Sequence, residues 1–240
     1  MPTVDFSSAL RLLLSVQDVH PDNRAVPQLR SPRIWGTFSA SGGAGATTIS
    51  MHLARVAAHN GLRTLLIESD ITAPLREILR AAPPYWEEYQ LGIKESNEAM
   101  PRDCAAGFAL LTRKSTSDIS QNSFENFLHL AQDHFDLIVI DNPPFISHQM
   151  RKILVVENTL PSLIGVNTLT RLFTPEIVLI NKFSPRLKKR SSIESFVVDA
   201  TLFRLPKSQD LQLAMGFGIH RKVSSRNEKS FKSIVAEMVK

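Results

Sequence analysis

A single cysteine, Cys104, stands in 240 residues. No internal disulfide framework can form, and such sparing use of cysteine fits a reducing compartment. Nothing around Cys104 marks a catalytic thiol. The seven histidines include no H-x-x-x-H pair, and there is no C-x-x-C, so the common structural zinc patterns are excluded. No apolar run reaches the ~18 residues of a membrane-spanning helix. Met1–Asp5 carries no basic residue ahead of the stretch Leu10–Leu14, so a secretory leader is not expected. A cytoplasmic protein is expected, with at most peripheral contact at the inner face of a membrane. A large excess of one sign of charge is also missing. The net +5, from 28 basic and 23 acidic residues, permits weak attraction to nucleic acid or anionic lipid without requiring either. What the chain does have is an ordinary globular composition, 43% hydrophobic and 21% charged, enough to bury a full core.

Hydrophobic patterning divides the chain in two. In residues 1–33, Phe6, Leu10, Leu13 and Leu14 recur at helical spacing, so Asp5–Gln17 is expected to form a short amphipathic helix. A polar, proline-bearing linker follows, Val19–Arg33. From residue 34 to residue 240 strands and helices alternate. Strands are expected at Ile34–Phe38, Arg63–Ser69, Phe108–Thr112, Leu137–Ile140, Ile153–Val156, Ile177–Ile180 and Thr201–Leu205. Helices are expected at Thr47–Asn60, Ala73–Ala81, Ser123–His134, Leu160–Phe173, Ser191–Val198, Asp210–Met215 and Ser230–Val239. Several strands are apolar throughout, the mark of a parallel sheet covered on both faces. The fold class is therefore a doubly wound, mostly parallel α/β domain.

The chemistry concentrates in Ser41-Gly42-Gly43-Ala44-Gly45-Ala46-Thr47-Thr48. This has the spacing of a phosphate-binding loop, G-x-x-x-x-G-K-[ST], between a strand and a helix, with Ala46 where the lysine belongs. Glycines let the backbone turn tightly and aim N–H groups inward, and the following helix adds its positive end. Thr47 is placed to bind magnesium and Thr48 to hydrogen-bond a phosphate. Two further strands end in carboxylates, Leu137-Ile138-Val139-Ile140-Asp141 and Glu68-Ser69-Asp70. Ligands of open α/β sheets lie off the carboxyl ends of the strands, so Asp70, Asp141 and the loop should share one crevice. Asp141 would hold magnesium through water.

The set GTFSASGGAGATT, LLIESD, FDLIVIDNPP and VLINK, with a late LPKSQDLQLAMGFG segment, resembles the ParA/MinD group of deviant Walker P-loop ATPases from about Ile34 to the C-terminus. The resemblance implies that Thr47 and Asp141 serve magnesium, that Asp70 positions the attacking water, that Gly42–Thr48 hold the phosphates of ATP or ADP, and that Asn181 contacts adenine. It also marks two losses. The family's signature lysine falls at Ser41, and the ordinary P-loop lysine at Ala46. Loss of one such electrostatic group costs about 3 kcal/mol of transition-state stabilisation. The expectation is a pseudo-ATPase with weak nucleotide binding or none, with Arg63, Arg76, Lys152 and Lys182 as candidate substitute cations. Within the group the degenerate loop is most like the TadZ/CpaE branch, whose members usually carry a receiver-like domain where this chain has about 33 residues. That branch implies a positioning or scaffold protein for a membrane-associated machine such as pilus assembly or secretion. Its partners would be the proteins of that machine or a second copy of itself. The alternatives are an active ATPase placing DNA, flagella or septa, and an accessory subunit of a cellulose-synthesis or conjugation machine.

Three lesser features complete the reading. Asp5…Leu10-Arg11 has the spacing of the D-Q-A-x-x-L-R activator motif of a flagellar MinD-like protein, with Phe6-Ser7 replacing Gln-Ala. Arg186, Lys188, Lys189 and Arg190 form a basic run that reads first as a solvated loop and second as a contact for DNA phosphates. The terminal helix, with Phe231, Ile234, Val235 and Met238, is expected to pack on the domain rather than on a lipid surface.

Overall fold

In a computed structural model, the chain is described over residues 33–70, 72, 74–79, 81, 85–87, 107–114, 118–184, 193, 199–211 and 223–240. The expected amphipathic helix, the body of the linker, the basic run at 186–190 and the short helices expected at 191–198 and 210–215 lie wholly or mostly outside these residues.

Seven strands make one sheet: β1 (Arg33–Ser39), β2 (Thr64–Glu68), β3 (Ala109–Leu111), β4 (Leu137–Asp141), β5 (Met150–Glu157), β6 (Ile177–Phe183) and β7 (Thr201–Pro206). Their spatial order is β3-β2-β4-β1-β5-β6-β7, and every pairing among them is parallel. The helices are α1 (Ala46–His59), the five-residue α2 (Pro74–Ile78), α3 (Gln121–Ala131), α4 (Leu160–Leu169) and α5 (Ser225–Met238).

Alternation along each strand builds two cores, because successive side chains point to opposite faces. On β4, Leu137 and Val139 face α1 and α5, joining Ile49, Leu53, Phe231 and Ile234. Ile138 and Ile140 face the other way, against Phe124 and Phe127 of α3 and Val166 of α4. The expected doubly wound, parallel α/β architecture is the one observed.

The boundaries differ in instructive ways. Arg33, expected in the linker, opens β1 instead. Its N–H donates to the Asp136 carbonyl (3.2 Å), and its guanidinium to the Lys240 carbonyl (2.7 Å). Trp35 Nε1 donates to the Met238 carbonyl (3.1 Å), fastening α5 to the start of the central strand. β5 begins at Met150, three residues before its apolar run, and β6 continues through Asn181 and Lys182 to Phe183. α4 stops at Leu169, short of the Phe173 expected from its apolar content.

This topology fixes the site. β1 lies between β4 and β5, and its register places Thr37 beside Asp141, while β2 places Glu68 on Asp141's other side. The chain winds toward β3 after β1 and toward β7 after β4. The crevice of such a sheet opens off the carboxyl ends of the strands where the winding reverses, and there the glycine-rich loop runs from β1 to α1.

Candidate nucleotide-binding site

The loop has the backbone its sequence asks for. Gly43 and Gly45 take φ of 78° and 93°, a left-handed region that glycine enters without steric cost. Gly45 is also the N-cap of α1, and among the described residues no side chain caps that helix. The first N–H groups of a helix have no intrahelical partner, and with the helix dipole they favour an anion. A Cβ on Gly45 would fall 2.6 Å from Asn181 Nδ2. Only glycine fits there, because Asn181 reaches over from β6 and donates to the Ala44 carbonyl (2.8 Å). Thr47 and Thr48 stand half-buried in the first turn of α1.

Asp141 ends β4 fully buried. Ser50 Oγ lies 3.0 Å from its Oδ1 and Thr37 Oγ1 3.4 Å from the same atom. Burial pushes its pKa up to about 6. The Thr47 and Ser50 hydroxyls pull the other way, and the charge of Asp70 raises it further. Oδ2 has no hydrogen-bond partner of good geometry among the described residues. A buried carboxylate oxygen left unpaired, with the loop threonine beside it, suits magnesium. Asp141 and Thr47 are therefore the residues that would hold the ion, whose charge would offset that of the phosphates.

Asp70 is half-buried just past β2, where its Oδ1 accepts the backbone N–H and the hydroxyl of Thr72, both at 2.8 Å. It is close enough to act electrostatically on Asp141. Asp70 thus neighbours Asp141, and Asn181 touches the loop at Ala44. Sequence reasoning gave Glu68 no role. It is buried between the two aspartates, its pKa pushed up to about 8 chiefly by burial, and it accepts the N–H groups of Leu75 (2.5 Å) and Arg76 (3.2 Å). A carboxylate in a wholly buried strand was the available signal.

The two missing lysines are replaced by different environments. Ala46 is buried in the core. Ser41 Oγ is hydrogen-bonded to Ser162 Oγ (2.6 Å) at the start of α4. Of the four candidate cations, Arg63 is paired with Asp136 (2.8 Å), Lys152 approaches Glu176 (4.0 Å), and Arg76 is spent on Glu77 and the carbonyls of Arg113 and Lys114. Lys182 alone of the four reaches the loop. Its Nζ donates to the Gly43 carbonyl (2.7 Å) and pairs with Glu157, from a backbone with φ of 53°.

A parallel sheet wound both ways, with a glycine loop feeding a helix and an acidic strand end beside it, defines a P-loop-type nucleotide-binding domain. The chain belongs to the CobQ/CobB/MinD/ParA nucleotide binding domain family, which it matches over residues 36–219. No curated protein sequence matches it. Solved structures share the fold at low identity. One is the MinC:MinD cell division protein complex of Aquifex aeolicus (TM-score 0.66, 18% identity, covering 86% of this chain and 93% of that one). Another is the septum site-determining protein MinD of Pyrococcus horikoshii OT3 complexed with Mg-ADP (0.63, 15%, 86% and 95%). A third is a putative plasmid partition protein of Borrelia burgdorferi B31 bound to AMPPNP (0.62, 16%, 86% and 98%).

Proposed function

We propose that this protein is a degenerate MinD/ParA-type factor that binds ATP or ADP with magnesium and hydrolyses ATP at or near background. It would serve as a positioning or scaffold component of a membrane-associated machine. The carrying observation is the pairing of a formed cradle with absent cations. Gly43 and Gly45 adopt loop geometry, α1 is uncapped and Asp141 Oδ2 stands unpaired, while Ser41 and Ala46 occupy the lysine positions. Backbone N–H groups and magnesium suffice to hold phosphates. A lysine at the β/γ-phosphates also offsets the charge that develops in transfer, and that contribution is what the chain lacks. In this reading Asp141 and Thr47 hold magnesium, residues 42–48 hold the phosphates, Asn181 borders the base and Asp70 borders the attacking water. Residues 34–240 are the nucleotide domain and residues 1–33 an extension. Among the described residues no helix is long and apolar enough to cross a membrane. The degenerate loop favours the TadZ/CpaE branch and a role in pilus assembly or secretion, and co-purification with a secretion ATPase tests that choice.

Lys182 supports a second reading, an active ATPase with a relocated cation, because its ammonium already touches the loop at Gly43. Calorimetric titration with ATP and ADP in magnesium, beside measured turnover, separates the two. Binding without turnover fits the scaffold. Binding with turnover that Lys182→Ala and Asp70→Ala abolish fits the relocated cation.

A further inference from the structure

A second cavity, of about 330 Å³, opens between α1 and α5. It runs from His52 to His59, roughly 9 to 20 Å along α1 from the loop at ~1.5 Å per residue. Its volume falls at the lower end of small-molecule sites. Its lining includes apolar Val56, Val223 and Phe231, and His52, Arg55, His59 and Lys232 with one carboxylate, Glu228. Lys232 engages that carboxylate at 2.9 Å, so the lining keeps an excess of positive charge.

Two nitrogens of these residues are unpaired. Arg55 Nη1 and His52 Nε2 are buried with no hydrogen-bond partner among the described residues, and His52 is only 1% exposed. Native proteins rarely leave such groups unpaired, so each calls for a cause. Burial and the neighbouring Arg55 hold the His52 pKa down at about 4, which keeps the ring neutral, and a neutral imidazole protonated at Nε2 donates one hydrogen bond. His52 also stands beside the Phe231 ring, centroids 5.2 Å apart. The lining thus combines a guanidinium donor, an imidazole nitrogen and an aromatic face.

We infer that this cavity is a binding site for a small organic anion whose carboxylate or phosphate group accepts from Arg55 and His52 and whose compact apolar body rests on Phe231, Val56 and Val223. The inference is independent of the loop's nucleotide chemistry, since no residue of residues 41–48 lines the cavity.

The test is NMR titration of the full chain with benzoate, with phenyl phosphate and with uncharged benzyl alcohol, reading the His52 ring resonances. The histidine signals are assigned by His52→Phe. At least one of the two anions should shift the His52 signals with a dissociation constant near or below about 1 mM, and benzyl alcohol should bind at least ~10-fold more weakly. Benzoate preferred over phenyl phosphate identifies a carboxylate ligand, and the reverse order a phosphate monoester. Arg55→Gln should weaken the preferred anion at least ~10-fold while Thr47→Ala, in the loop, leaves it unchanged. If Arg55→Gln unfolds, His52→Phe supplies the same test by fluorescence-detected or calorimetric binding, because it keeps the ring and removes the donor. The inference is overturned if neither anion perturbs His52 at about 10 mM, if benzyl alcohol binds as well as the anions, or if the folded Arg55→Gln or His52→Phe variant binds like the wild type.

Discussion

At the scale of single residues, Asp141 and His52 are two buried ionisable groups with opposite consequences. Asp141→Asn keeps the size of the side chain and removes the charge that would face magnesium. It is expected to weaken magnesium-dependent nucleotide binding at least ~10-fold by calorimetry, with little change in affinity measured in EDTA. His52 contributes a loss of stability in acid. Its pKa in the folded chain is about 4 against an ordinary 6.5, so between those values the unfolded chain binds more protons. The stability that depends on neutral His52 is complete above about pH 6.5 and is lost as the pH falls toward 4, with a limit of roughly 3 kcal/mol. Glu68 and Asp141, whose pKa values are raised in the folded chain, shift the total the other way, so the His52 contribution is read as the difference between wild type and His52→Phe: in urea unfolding, wild type should lose stability relative to the variant between pH 7 and pH 4.5. Equal pH slopes would mean that His52 is not buried as described. The loop residues and Asp141 were legible in the sequence because strand, glycine spacing and strand-end acid all lie within short local segments. His52, Arg55 and Phe231 were not, because their meeting depends on α1 packing against α5 across more than half the chain.

At the scale of elements, the junction of the loop with α4 is the most constrained. Gly165 sits mid-helix, where sequence reasoning sees only a penalty relative to alanine. In the structure a Cβ there would lie 1.6 Å from the Ala40 carbonyl oxygen, so α4 packs directly on the backbone that leads into the loop. Backbone cannot yield as a flexible side chain can. Gly165→Ala is expected to cost about 1–3 kcal/mol in urea unfolding and to weaken nucleotide binding as Ala40 shifts. Gly42→Ala is the contrast. Gly42 has open space around its Cβ position and is not among the positive-φ glycines, so it should cost well under about 1 kcal/mol. The centres of the strands were readable from apolar runs, whereas their ends were not. Arg151 and Lys152 lengthen β5, and Asn181 and Lys182 lengthen β6, because the ladder continues under half-polar residues that carry no hydrophobic signal. α4 differs in the other direction, since after Leu169 it gives way to a turn in which the Leu172 and Phe173 N–H groups both donate to the Leu169 carbonyl. Leu172 remains 65% exposed beyond the helix end.

For the whole molecule, family membership and the all-parallel sheet establish a nucleotide-binding domain, and the central claim is that the domain has kept binding while losing catalysis. Lys182 is the residue through which that claim is most exposed, because it supplies the one candidate cation of four that reaches the loop. Lys182→Ala should lower nucleotide affinity by a few-fold through loss of a charged loop contact, while turnover, already at background, stays unchanged. The decisive measurement is calorimetric binding of ATP and ADP in magnesium, paired with phosphate release by the same preparation. Saturable magnesium-dependent binding that Asp141→Asn removes, with phosphate release indistinguishable from the uncatalysed rate, is the predicted result. Turnover abolished by Asp70→Ala, or no nucleotide binding at all, would contradict it.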